Sequence, residues 1–99
     1  MRIVRGVPKK VADALRMAAE TLPPGREFES EIGYSMTIRH HSNGWSPAFA
    51  TLVADRRGLM LRFFNVGIWS SLDSEKKVLL PWLAAVEKAT GVPVVVQLP

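Results

Sequence analysis

Phe28-Glu29-Ser30-Glu31-Ile32-Gly33-Tyr34-Ser35-Met36-Thr37-Ile38-Arg39 is the stretch from which the rest of the chain is read. Phe28, Ile32, Tyr34, Met36 and Ile38 alternate with Glu29, Glu31, Gly33, Ser35, Thr37 and Arg39. Successive side chains of a strand point to opposite faces, so this spacing predicts one half-buried strand. Ser42-Asn43-Gly44-Trp45 follows, and Asn-Gly supplies the two positive-φ residues that a tight hairpin turn needs. Pairing outward from that turn sets Ile38 opposite Phe49, Met36 opposite Thr51 and Tyr34 opposite Val53.

Asp55-Arg56-Arg57-Gly58 marks the next reversal. Its length matters, because a slip of one residue exchanges the two faces of a strand. A three-residue loop ending on Gly58, a common hairpin connection, places Leu61 beside Val53 and Phe63 beside Thr51, with Arg62 outward. A four-residue loop would bury Arg62, and the shorter loop is preferred. The outer face of this three-strand meander then gathers Ala48, Ala50, Leu52, Met60, Phe64 and Val66 around Arg62.

On the N-terminal side, Ile3-Val4-Arg5-Gly6-Val7 reads as a short strand and Pro8 as the start of a helix. Val11, Ala14, Leu15, Ala18 and Leu22 recur at helical spacing, with Lys9, Lys10, Asp13, Arg16 and Glu20 on the other face. Pro23-Pro24-Gly25 stops that helix. After the meander, which fades around Gly67-Ile68-Trp69, Ser70-Ser71-Leu72-Asp73-Ser74-Glu75 offers capping hydroxyls and early acidic residues for a second helix. Leu79, Leu80, Leu83, Val86 and Ala89 are expected to form its buried stripe, and Pro81 predicts a kink or a break. Gly91 ends it. The valine-rich run over 92–98 reads as a strand covered on both faces inside the sheet.

The expected fold is therefore one α+β domain over 1–99, a two-layer sandwich in the order β-α-β-β-β-α-β. Both helices pack on one face of a mainly antiparallel sheet. An apolar content of 47% in 99 residues is enough for one core, and a charged fraction of 22% is ordinary. The lack of cysteine excludes disulfides, thiol nucleophiles and thiolate metal sites. No segment resembles a signal peptide or a membrane span, so a cytoplasmic location with no membrane partner is expected.

Candidate chemistry is sparse. His40 and His41 are adjacent on a strand and point to opposite faces, which does not suit joint ligation of a metal. Glu27, Glu29 and Glu31 share a strand face without the electrophile or phosphate loop that would make a site of them. Asp55 and Asp73 fit turn and cap roles. The glycines stand in no phosphate-binding spacing, and no serine sits in a nucleophile elbow. No catalytic residue, cofactor or metal is assigned, and the chain is not expected to be an enzyme.

Three features point to binding instead. One is the apolar outer sheet face with Leu52, Met60, Arg62 and Phe64. A second is the sheet end where Trp69 arrives beside His40, His41 and Trp45, near the start of the second helix. The third is basic: Arg2, Arg5, Lys9, Lys10 and Arg16 crowd the first sixteen residues of a chain with net charge +4. In its helix, meander, helix order the chain resembles double-stranded RNA-binding domains. Their second helix opens on a lysine-rich motif, for which Ser74-Glu75-Lys76-Lys77 substitutes an acidic residue, and the outer strands depart from that family. Small dimeric chaperones likewise place helices on a meander. The expected function is a non-enzymatic protein-interaction module, an adaptor or a small inhibitor of the kind mobile elements encode. Its partner is another protein or a second copy in a homodimer. The alternative is nucleic-acid binding through the basic N-terminal residues.

Overall fold

The computed structural model describes residues 6–30, 34–41, 48–64 and 71–98. The elements are α1 (Lys9–Glu20), β1 (Arg26–Ser30), β2 (Ser35–His40), β3 (Ala48–Ala54), β4 (Leu59–Phe63), α2 (Leu72–Thr90) and β5 (Val94–Gln97). The five strands lie in the order β1-β2-β3-β4-β5. The first three pairings are antiparallel, and β5 joins β4 in parallel after the α2 crossover. The result is the expected α+β sandwich of two helices on a largely antiparallel sheet.

Its layers follow from side-chain parity. Met36, Ile38, Ala50, Leu52, Ala54, Leu59, Leu61 and Phe63 face the helices and are buried, together with Val11, Ala14 and Ala18 of α1 and Leu79, Trp82, Leu83 and Val86 of α2. α1 packs on β3, β4 and α2. Trp82 Nε1 donates to Thr21 Oγ1 at 3.1 Å while that hydroxyl donates to the Met17 carbonyl at 2.8 Å, which ties the end of α1 to the middle of α2. Ser71 caps α2 by accepting the Ser74 N–H, and Gly91 closes it at φ 73°.

Several expectations are corrected. The alternating stretch is two strands: Phe28 pairs with Ile38 and Ser30 with Met36 in an antiparallel hairpin. Gly6 and Val7 are not in a strand, and Ile3, Val4 and Arg5 lie outside the described residues; the order among the described residues is α-β-β-β-β-α-β. β3 is shifted by one residue. Met36 faces Leu52 and Ile38 faces Ala50, and an irregularity between Ile38 and Arg39 leaves Phe49 as the extra residue of a bulge. The next loop has four residues, since Ala54 pairs with Leu59. The two slips cancel, and Leu61 and Phe63 remain inside with Arg62 outside. α2 runs continuously through Pro81; both Pro81 and Lys77, whose carbonyl loses its helical donor there, are exposed, so water can serve that carbonyl. Finally, β5 is an edge strand with Val95 59% exposed. The Ser42–Asn43–Gly44–Trp45 turn lies outside the described residues.

Candidate functional site

The face of the sheet away from the helices is formed by cross-strand rows. Ser35, Val53, Met60 and Val95 make one row, and Thr37, Thr51, Arg62 and Gln97 the next. The first carries three apolar side chains toward the β5 edge; the second is polar. This is a mixed surface and not the apolar one expected. Leu52 and Ala50 are wholly buried beneath the helices, so Leu52 is a core residue and not a docking residue. Met60 and Arg62 do lie on the open face. Phe64 sits just past β4, half-buried, where its N–H donates to the Phe49 carbonyl at 2.8 Å.

The β5 edge is the least protected part of that face. Leu59 N–H donates to the Pro93 carbonyl at 2.9 Å, which sets the phase of the parallel ladder. In such a ladder one residue bonds to the positions before and after its partner. With Leu59 opposite Val94, the ladder uses the backbone of Val95 and turns the N–H and C=O of Val94 and Val96 outward. Gln97 is the only polar residue in β5, and Leu98 just beyond it is 48% exposed. A cleft of about 360 Å³ beside this strand is lined by Arg57, Leu59, Met60, Pro93 and Val95 among others. The opposite edge, β1, reads Arg26-Glu27-Phe28-Glu29-Ser30 and is rich in charge.

Ionic contacts gather where β1 and β2 meet α2. Glu75 is fully buried. Its Oε1 accepts from Arg26 Nε at 3.1 Å and Nη2 at 2.9 Å, and its Oε2 lies 3.0 Å from His40 Nε2. The His40 ring also stacks against Phe49 at 4.8 Å. On the open face, Glu27 receives Arg39 Nε at 2.9 Å and lies 2.8 Å from His41 Nδ1. The His41 hydrogen bond, then the Arg39 guanidinium, hold the Glu27 carboxyl below its ordinary value. The two histidines thus point to opposite faces, as expected, and each meets a different carboxylate. A carboxylate that orients an imidazole is a component of acid–base sites, but Glu75 already answers Arg26, and the Ser71 and Ser74 hydroxyls bond to one another within the helix cap. The arrangement is that of a structural ion cluster. The sequence places His40 near the start of α2 and Glu75 among the early acidic residues of that helix; only the helical phase, one turn before the buried Leu79, marks Glu75 as inward-facing.

Trp45, Trp69, Arg2 and Arg5 lie outside the described residues. Lys9 and Arg16 are exposed on α1, where both pair with Asp13 at 2.7 and 3.5 Å. Lys10 reaches across to the C-terminal end of α2, its Nζ 3.4 Å from where a Cβ on Gly91 would sit. A cleft of about 520 Å³ brings Gly6 and Val7, which precede α1, beside Arg56 and Arg57 of the β3–β4 loop. Among the described residues, no cluster of side chains is suited to a metal ion, and no helix is long and apolar enough to cross a membrane. Comparison with family models, with curated proteins and with solved structures gives no match.

Proposed function

We propose that the chain is a non-enzymatic protein-interaction module, acting as an adaptor or inhibitor in the cytoplasm, whose docking element is the β5 edge with the neighbouring row Val53, Met60 and Val95. The observation that carries this reading is an edge that no strand among the described residues covers. Exposed edge strands of natural proteins are usually short and charged, interrupted by proline or covered, because their free N–H and C=O groups recruit other strands. β1 follows that rule through its charges. β5 is short, but it has no charged side chain, and a bulky apolar residue stands at its centre. Added strands gain main-chain hydrogen bonds for affinity and side-chain pockets for selectivity. The Met60 and Val95 cleft is such a pocket.

A photo-crosslinking residue at position 95 tests the reading in the native host. It is expected to give adducts whose mapped sites are extended polypeptide segments, and the same probe at Ala85, on the outer side of α2, is expected to give none. Absence of any adduct at position 95 overturns the reading.

The cleft between Gly6, Val7, Arg56 and Arg57 favours a second reading, nucleic-acid binding through a surface that adds the β3–β4 loop to the basic N-terminal residues. Its mark is an affinity for DNA or RNA that falls steeply as salt rises. A chain that shifts no nucleic acid at low salt lacks this activity.

A further inference from the structure

We infer that the occupant of the β5 edge is a second copy of this chain, joined antiparallel about a two-fold axis that passes between the two Val95 residues; this rests on the edge-docking reading above. The outward backbone groups set the possible registers. Val94 and Val96 are the residues whose N–H and C=O are turned away from β4. In an antiparallel pair, hydrogen-bonded residues exchange both bonds, and the residues between them face each other without bonding. Setting Val94 opposite Val96 of the other copy satisfies four backbone donors and four acceptors. It leaves Val95 opposite its own counterpart in a close, non-bonded pair.

Three further observations favour a copy over a foreign strand. The first is facial continuity. Opposed residues in an antiparallel pair point to the same face, so both helical layers fall on one side. The rows Val53, Met60 and Val95 of the two copies then run together across the open face. The second is charge. A two-fold axis sets each residue against a near-identical neighbour, which is costly for like charges, and residues 91–98 contain none. Arg57 lines the cleft beside Pro93, at the beginning of β5, so the antiparallel arrangement sends the two Arg57 side chains to opposite ends of the joint. The third is the contrast between edges. β1 carries charged residues that would face the apolar side chains of β5 in an open-ended array, a poorer match than β5 makes with itself. Pairing β5 with itself closes the assembly at two.

The self-opposed position supplies a test that no other occupant passes. Val95 is exposed, so Val95→Lys and Val95→Glu should both fold, as circular dichroism and melting temperature would show. Sedimentation of the wild-type chain between about 1 µM and about 1 mM, a range suited to a small interface, is expected to pass from monomer to dimer. Each charged variant alone is expected to remain monomeric, with at least a tenfold weaker association. An equimolar mixture of the two is expected to recover the dimer, because lysine then faces glutamate across the axis. A wild-type chain that stays monomeric throughout overturns the inference. So does a Val95→Lys variant that dimerises undiminished, or a mixture that does not recover. A monomeric chain that still gives position-95 adducts with another polypeptide overturns self-pairing and leaves the edge-docking reading in place. No adduct of any kind overturns both.

Discussion

Glu75 shows how one residue can be misread from its neighbours. Next to Ser74 and Asp73 it resembles part of a helix cap, yet its side chain is fully buried. A carboxylate withdrawn from water is tolerated only with close partners, and here Arg26 and His40 supply them from two different strands. The cluster joins the edge strand β1 to the start of α2. Removing one member leaves the others inside without compensation, which for buried pairs costs about 3–5 kcal/mol, whereas replacing the pair by apolar residues of similar volume is often neutral. Glu75→Ala should therefore lower unfolding free energy by an amount near that range in urea titrations. Arg26→Met combined with Glu75→Leu should recover most of the loss. A double variant no more stable than Glu75→Ala would show that the ion pair itself stabilises the fold, and that neither lost volume nor an uncompensated charge explains the loss.

At the level of elements, the inward face of β2 was legible because Met36 and Ile38 alternate with Ser35, Thr37 and Arg39, and that of β4 because Leu61 and Phe63 flank Arg62. β3 was not. Ala48-Phe49-Ala50-Thr51-Leu52-Val53-Ala54 has apolar side chains at both parities, so no pattern selects a face, and a bulge that adds Phe49 decides it. The hairpin of β1 and β2 was hidden for a related reason. Its partners are an even number of positions apart, Phe28 with Ile38 and Ser30 with Met36, so the parity of the alternation carries through both arms and reads as one strand. The valines of β5 suggested a central strand, but composition carries no information on sheet order, and the docking edge was missed with it. The site residues drawn from the sheet face suffered from the same slip: Leu52 moved into the core while Met60 and Arg62 stayed outside. Gly58, expected as the left-handed end of a three-residue loop, instead closes a four-residue loop in a different geometry. Its φ is 151°, and a Cβ there would stand 2.3 Å from the Pro93 carbonyl oxygen, the acceptor that begins the β4–β5 ladder. Gly58→Ala must push β5 away from β4, with an expected cost of about 2–3 kcal/mol. Amide exchange should rise first at Val95 and Gln97, before the central strands; uniform acceleration across the sheet would contradict this account.

For the molecule as a whole, acid stability follows from carboxylates distributed over its surface. Glu27 is held below its ordinary 4.5 chiefly by the His41 hydrogen bond, and Asp55 below its ordinary 3.8 chiefly by the backbone N–H of Arg57, which reaches Asp55 Oδ1 at 2.7 Å. Each releases its proton more readily in the folded chain than in the unfolded one. The unfolded state therefore binds more protons through this range, and stability falls as pH falls. The contribution of Glu27 is complete above about 4.5 and fades as pH drops through its lower folded value; that of Asp55 does the same starting from about 3.8. The chain, already at +4, also gains positive charge as its carboxylates are neutralised, which opposes compactness. Melting temperatures measured from pH 6 downward should therefore begin to fall near pH 4.5. Glu27→Gln should flatten the upper part of that fall, and Asp55→Asn, which keeps an acceptor for the turn, only the lower part. Because the effects lie at opposite ends of β2 and β3 with no shared partner, the double variant should show their sum. A double variant whose acid profile matches that of either single variant would mean that a different set of carboxylates controls the acid limit of the fold.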